Sequence, residues 1–152
     1  MISDTHGLIR PEALNALRGS DLILHAGDVG SPEIIDQLRA LAPVVAVRGN
    51  IDKNARALKL PLTAVVEAGH ARIYVLHDLA ELDLDPSQAH LDIVISGHSH
   101  KPRQFEKDGV LYINPGSAGP RRFRLPITVA RLDLSSQPWR ADFVDVSVET
   151  GS

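Results

Sequence analysis

The sequence predicts an α/β layered fold in which two sheets pack face to face with helices outside. Two observations carry this. In the first half, short β-branched runs that are apolar on both faces alternate with helical patterns, as in a sheet covered on each side. In the second half the chain reads as hairpins, which favours antiparallel strands. The 152 residues suit one domain, taken as residues 1–148 with a loose tail at 149–152. Hydrophobic residues make up 43% but aromatics only 4%, so the core must be built from Val, Leu, Ile and Ala.

The elements follow in order. Met1-Ile2-Ser3 leads straight into Asp4, so either the first strand is very short or the chain lacks a few residues that a longer version would have. Pro11 to Leu17 places Leu14 and Leu17 on one helical face. Asp21 to Ala26 is a short apolar run ending in Gly27-Asp28. Ser31-Pro32-Glu33 starts a second helix, with Ser31 as N-cap and Pro32 in the first turn. Ile34, Ile35, Leu38 and Leu41 recur along it at helical spacing up to Pro43. Val44 to Val47 ends in Arg48-Gly49-Asn50, Arg72 to Leu76 ends in His77, and Asp92 to Ser96 ends in Gly97-His98. Phe105 to Ile113 reads as a hairpin turning at Lys107-Asp108-Gly109. Two further strands are expected over Ile127–Leu134 and Trp139–Val148, turning near Ser135 to Pro138.

Composition narrows the chemistry. Sixteen basic against 19 acidic residues give a net charge of −3, without the basic field that nucleic-acid binders need. A small phosphorylated substrate is compatible with that charge. No apolar run reaches the roughly 18 residues of a membrane span, and no signal peptide is evident. Cysteine is absent, so a metal site must use His, Asp, Glu or Asn. The expectation is a cytoplasmic globular protein, with room for a homo-oligomer.

The polar residues Asp4, His6, Asp28, Asn50, His77, His98 and His100 all follow apolar runs. In open α/β sheets such positions gather outside the carboxyl ends of the strands. Gly-His-x-His at 97–100 is the most specific element, because two imidazoles at i and i+2 leave an extended segment on the same side. Gly7, Gly27, Gly49 and Gly97 permit the tight turns and close approaches of a crowded site. These N and O ligands suffice for two divalent metals sharing one carboxylate, the arrangement that activates water against phosphate esters.

The ordered set Asp4-x-His6, Gly27-Asp28, Gly49-Asn50, His77 and Gly97-His98-x-His100 resembles the calcineurin-like metallophosphoesterase superfamily. The short length and Asn114-Pro115-Gly116-Ser117 resemble its small bacterial and archaeal phosphodiesterase branch. The resemblance implies a four-layer α/β/β/α sandwich. It also implies one metal on Asp4, His6, Asp28 and His100 and a second on Asp28, Asn50, His77 and His98, with Asp28 as bridge. Water held between the metals would be the nucleophile on a small phosphoester. Manganese is the first expectation, with iron, zinc, nickel and cobalt also suited to such ligands. Asp28, Asn50, His98 and Asp52 are the expected catalytic residues, and Asn50 and Arg121 the expected substrate contacts.

The chain departs from the family pattern at three places. Ile51 stands where many members have His and the small branch often has Cys, so no side chain there protonates the leaving group. That predicts a preference for esters with good leaving groups. Asp52 is expected behind the ligands, orienting an imidazole, with a turn-capping carboxylate as the other reading. Asp78 stands where Gly is usual; it could strengthen metal binding, repel phosphate or face solvent. The short start is the third departure, since Asp4 and His6 depend on the first strand for position. His25 reads as a satisfied structural histidine, or else as a support to the ligands. His70 and His90 read as surface residues, and Asn114 to Ser117 as a turn supporting the site. Arg121-Arg122 is an exposed basic pair by default, but guanidinium suits bidentate phosphate contact. A scaffold that keeps the fold without the chemistry is the second hypothesis, with a retromer subunit of this fold as precedent.

Overall fold

Strands with apolar residues on both faces need cover on both faces, and the layers follow from that. The computed structural model describes residues 1–52 and 59–147. The helices are α1 (Pro11–Leu17) and α2 (Pro32–Arg39). The strands are β1 (Ile23–His25), β2 (Val44–Ala46), β3 (Thr63–Ala68), β4 (Ala71–Leu76), β5 (Ile93–Ile95), β6 (Arg103–Lys107), β7 (Val110–Asn114), β8 (Thr128–Leu132) and β9 (Ala141–Asp145). Single turns of 3-10 helix occupy Asn50–Asp52 and Leu79–Glu81. The expected end of the last strand at Val148 and the tail at 149–152 lie outside the described residues.

In the first sheet β1 and β2 pair in parallel, and β8 and β9 pair antiparallel. The N-terminal segment joins the two pairs. Ile2 donates to Leu24 O at 2.9 Å and accepts from Ala26 N at 3.0 Å. On its other side Met1 and Ala130 exchange backbone hydrogen bonds of 2.8 and 3.0 Å. The very short first strand is thus paired on both sides, and Asp4 leaves from the middle of a sheet.

The second sheet has the order β3-β4-β5-β7-β6. Its outer pairs β3/β4 and β6/β7 are antiparallel, while β4/β5 and β5/β7 are parallel. The second half is therefore not purely antiparallel, as its hairpins suggested. The tight turn at Asp108-Gly109 reverses the chain after β6, so β7 arrives beside β5 in the same direction. Both turn residues have positive φ, 51° and 78°, as a type I′ turn requires. Strand β3 was not anticipated. Its alternation is shallow, because Ala64, Val66 and Ala68 face the core while the equally apolar Val65 stays 55% exposed on the other side.

Three apolar clusters separate four layers. Ile2, Ile23, Val129 and Ile127 meet Leu17, Ile34, Ile35 and Leu38 of the helices. Leu24, Val47, Ile73, Val75, Ile95 and Ala130 pack between the sheets. On the outer face of the second sheet, Tyr74, Val94 and Tyr112 pack with Leu79, Leu82, Leu84 and Leu91. This is the α/β/β/α sandwich, with a thin fourth layer of one 3-10 turn and the irregular segment that follows it. Pro32 opens α2 and Ser31 is its N-cap, as expected, with an extended backbone (φ −153°) and no side-chain capping bond. Among the described residues no helix is long and apolar enough to cross a membrane.

Candidate metal centre

The carboxyl ends of both sheets meet at one edge. Asp4 and His6 leave the N-terminal strand there, Asp28 follows β1, His77 follows β4, and His98 and His100 follow β5. Their side chains converge. Asp28 Oδ2 lies 3.4 Å from His77 Nε2 and 3.5 Å from His6 Nε2. Asp4 Oδ1 lies 3.3 Å from His100 Nε2, 3.8 Å from His6 Nε2 and 3.9 Å from His77 Nε2. His98 Nδ1 is 3.3 Å from His77 Nε2. Asp4, Asp28, His77 and His100 are buried. Asn50 opens the neighbouring 3-10 turn but is exposed, and among the described residues its carboxamide makes no hydrogen bond.

The backbone is contorted to achieve this. Of the eight non-glycine residues with positive φ among the described residues, five are Asp4, His6, Asp28, His98 and His100. Left-handed conformations cost energy in L-residues and concentrate at functional sites. Two glycines allow the loops to close in. A Cβ on Gly49 would collide with Asp28 Oδ1, and one on Gly97 with Ser3 Oγ.

The polar atoms are only partly satisfied. Asp4 Oδ2 accepts from Ser3 Oγ at 2.6 Å and from His98 N at 3.1 Å. Asp28 Oδ1 accepts from Ile51 N at 3.1 Å. Asp4 Oδ1 and His6 Nε2, by contrast, are buried without a hydrogen-bond partner, although such atoms are normally paired. His77 Nδ1–H donates to Ala26 O at 2.8 Å, which turns Nε2 towards the carboxylates. Burial alone would raise the carboxyl pKa of Asp4, but His100, His6 and Ser3 outweigh it and hold it well below the usual range. Burial likewise opposes ionisation of Asp28, yet its bonds to His77 and Ile51 bring it down. His77 is depressed by burial but raised more by Asp28 and Asp4, to about 8. Two ionised carboxylates, inward-facing imidazole nitrogens and orphaned acceptors fit divalent first-row cations. The sets Asp4–His6–His100 and Asp4–Asp28–His77 each bring their ligand atoms within 4.8 Å of one another.

A family model described as the calcineurin-like phosphoesterase superfamily domain matches residues 1–137. The chain belongs to this superfamily. A relative named "Probable metallophosphoesterase" from Methanothermobacter thermautotrophicus is 36% identical over 146 residues, covering 88% of this chain and 84% of its own. A second, from Methanocaldococcus jannaschii, is 38% identical over 130 residues, covering 77% and 66%. Among solved structures, one characterised as an archaeal phosphodiesterase superposes with a TM-score of 0.78 at 26% identity, over 94% of this chain and 97% of that one. Vps29 of Entamoeba histolytica complexed with Zn²⁺ superposes with a TM-score of 0.66 at 26% identity, over 96% and 97%.

Around the centre of this calcineurin-like phosphoesterase, the supporting residues separate into those placed as expected and those that are not. Among the described residues Asp52 bonds no imidazole, so of the two readings the capping carboxylate describes it. Its carboxylate accepts from Val29 N (3.1 Å), Gly30 N (3.1 Å) and Gly49 N (2.9 Å), binding the Asp28 loop to the Asn50 loop. Asp78 caps the Leu79–Glu81 turn through Ala80 N, and its other oxygen lies 3.8 Å from His98 Nε2. His25 is fully buried and satisfied on both nitrogens, by Gly27 N and Thr5 Oγ1; burial lowers its pKa to about 4. Asn114 donates to Gly97 O and Ser99 Oγ, and Ser117 donates to Asp4 O, so this turn does brace the ligand loops. His70 and His90 are exposed. Arg121 is exposed as well, and its charge is felt at Asp145 of β9. Sequence reasoning missed Ser3, Thr5 and Arg10. Arg10 donates to Ala118 O and Gly119 O, and Thr5 links His25 to Val29 O. Only the hydroxyls interleaved with Asp4 hinted at such support.

Proposed function

We propose that this chain, as a unit of residues 1–148, is a phosphodiesterase that uses two divalent cations on a small cytoplasmic phosphoester. The observation that carries this is the convergence of Asp4 and Asp28 with four imidazoles around acceptor atoms that no protein donor satisfies. Asp4, His6, Asp28 and His100 would hold one cation. Asp28, Asn50, His77 and His98 would hold the other, with Asp28 shared. Bound cations of this kind supply a nucleophilic water at neutral pH and neutralise charge on the phosphoryl oxygens.

The chain's own residues prepare that chemistry. Ile51 N–H and Ala26 O fix the two partners Asp28 and His77, so their facing atoms need no reorganisation. Asn50 keeps its carboxamide available at the rim for a metal or a phosphoryl oxygen. Ile51 has no proton to give, so leaving groups must depart on their own acidity. The archaeal phosphodiesterase and the Zn²⁺ complex among the structural neighbours support the reading, and manganese is the first cation to try. Metal analysis of the purified protein should find bound first-row cations. With Mn²⁺ it should hydrolyse bis(4-nitrophenyl) phosphate in preference to 4-nitrophenyl phosphate, and Asp28→Asn should abolish turnover. A fully loaded protein that cleaves no activated ester would refute the enzyme.

A metal-binding scaffold is the second reading. It is favoured by large apolar side chains left exposed on loops next to the ligands, Leu8 at 40% and Ile51 at 48%. A scaffold requires that His98→Ala leave partner binding unchanged, with sizing to separate a partner from a second copy of the chain.

A further inference from the structure

A groove of about 240 Å³ opens beside His98. One wall is the outer face of β6 and β7, and the other is Asp78 and Leu79. Asn114 pairs with Arg103 at the end of the β6/β7 ladder nearest the centre, and Phe105 pairs with Tyr112 two residues further out, on the same face. The sequence alternation therefore lines this wall with an order of chemistry: amide, guanidinium, then aromatic rings. The Phe105 and Tyr112 rings stack at 4.8 Å and 4°, and the Arg103 guanidinium lies 4.5 Å over Phe105. Lys101 and Arg103 have no carboxylate partner within 4 Å among the described residues, whereas Asp78 is turned to Ala80 N and His98.

We infer that this groove receives one ester arm of the substrate, and that the arm carries a planar apolar ring with an added negative charge. The inference rests on the phosphodiesterase reading, since it places the phosphoryl group at His98. The volume decides the size. It falls below the roughly 300 Å³ at which pockets begin to enclose whole drug-sized ligands, so it takes a single ring system. The walls decide the character. A ring entering the groove meets the Phe105–Tyr112 pair, a contact that aromatic rings favour, and the guanidinium offers a flat cationic surface beside them. The two unpaired cations set the sign of the charge. Both are exposed, so their share is modest and screened by salt.

The test uses methyl esters of methylphosphonic, benzylphosphonic and (4-carboxybenzyl)phosphonic acid. In these the arm is joined by a P–C bond that water does not cleave. Calorimetry on the Mn²⁺-loaded protein should show the benzyl probe binding roughly fivefold to tenfold tighter than the methyl probe. The carboxylate should add about threefold at low salt and nothing at 1 M salt. Phe105→Leu should shrink the benzyl-to-methyl ratio, and Lys101→Ala with Arg103→Ala should erase the carboxylate's share. Equal or undetectable binding of the three probes overturns the groove assignment, and so do ratios that survive both sets of variants. Turnover of bis(4-nitrophenyl) phosphate on the same samples tests the hydrolase separately. The expected order without turnover keeps the groove and removes the enzyme, while turnover without the order does the reverse.

Discussion

Under the phosphodiesterase reading proposed above, Ile51 occupies the position where a proton donor would help most. Its backbone serves the centre by donating to Asp28, while its side chain, 48% exposed, offers neither acid nor base. A histidine could be carried there without displacing core residues. Ile51→His should therefore raise kcat on alkyl diesters by about 100-fold, the lower end of the range for general acid catalysis. It should change activated aryl diesters little, because their leaving groups need no proton. A flat response across a leaving-group series would show that protonation does not limit the slow substrates. The ligand residues themselves were legible as residues, because each follows an apolar run and carries a side chain suited to a cation. Their left-handed backbones were not legible, since Asp and His tolerate that conformation without requiring it.

At the scale of elements, Asp52 does for two loops what a short strand pair does elsewhere. Three backbone amides from the Asp28 and Asn50 loops end on one buried carboxylate. Asp52→Ala would leave those donors without an acceptor and should destabilise the protein by about 2–3 kcal/mol. It should also weaken metal binding by roughly 10–100-fold, as loss of a supporting group does elsewhere. Denaturant midpoints and metal calorimetry on the same variant check both; unchanged metal affinity would mean that the loops hold their own shape. The alternation of strands and helices, and the Asp108-Gly109 turn, could be read directly from periodicity and turn chemistry. Strand β3 could not, because its exposed edge position lets Val65 sit on the solvent side. The direction of β7 was hidden for another reason: which strands become neighbours depends on packing between distant segments, on which a hairpin pattern carries no information.

For the whole molecule, the buried histidines set a pH profile for the metal-free form. His25 has its pKa lowered to about 4 from 6.5, so between those values the unfolded chain takes up a proton that the folded chain does not. Stability should fall as pH drops from 6.5 towards 4, by roughly 3 kcal/mol in all from this residue. His77 has its pKa raised to about 8, so its contribution is full below 6.5 and is lost as pH rises through 8. The lowered pKa values of Asp4 and Asp28 add stability above their ordinary 3.8 that disappears only in stronger acid. Melting temperatures measured in chelator should therefore fall as pH drops from 6.5 towards 4. Divalent cation should raise them and flatten the alkaline side, because a bound cation takes the place of the His77 proton. A chelated protein equally stable at pH 6.5 and pH 4.5 would contradict the neutral state assigned to His25.

The two groups of candidate ligands come from different sheets: Asp4, His6 and Asp28 from the one with β1, and His77, His98 and His100 from the one with β4 and β5. Between them lies a seam of apolar side chains, crossed among the described residues by polar ties such as His77 to Ala26 O, His98 N to Asp4 and Gln104 to Ala141. An ion gripped from both sides would act on that seam as a rivet. Slippage of one half of the sandwich past the other would then register first in the grip on the ion, long before any strand came apart.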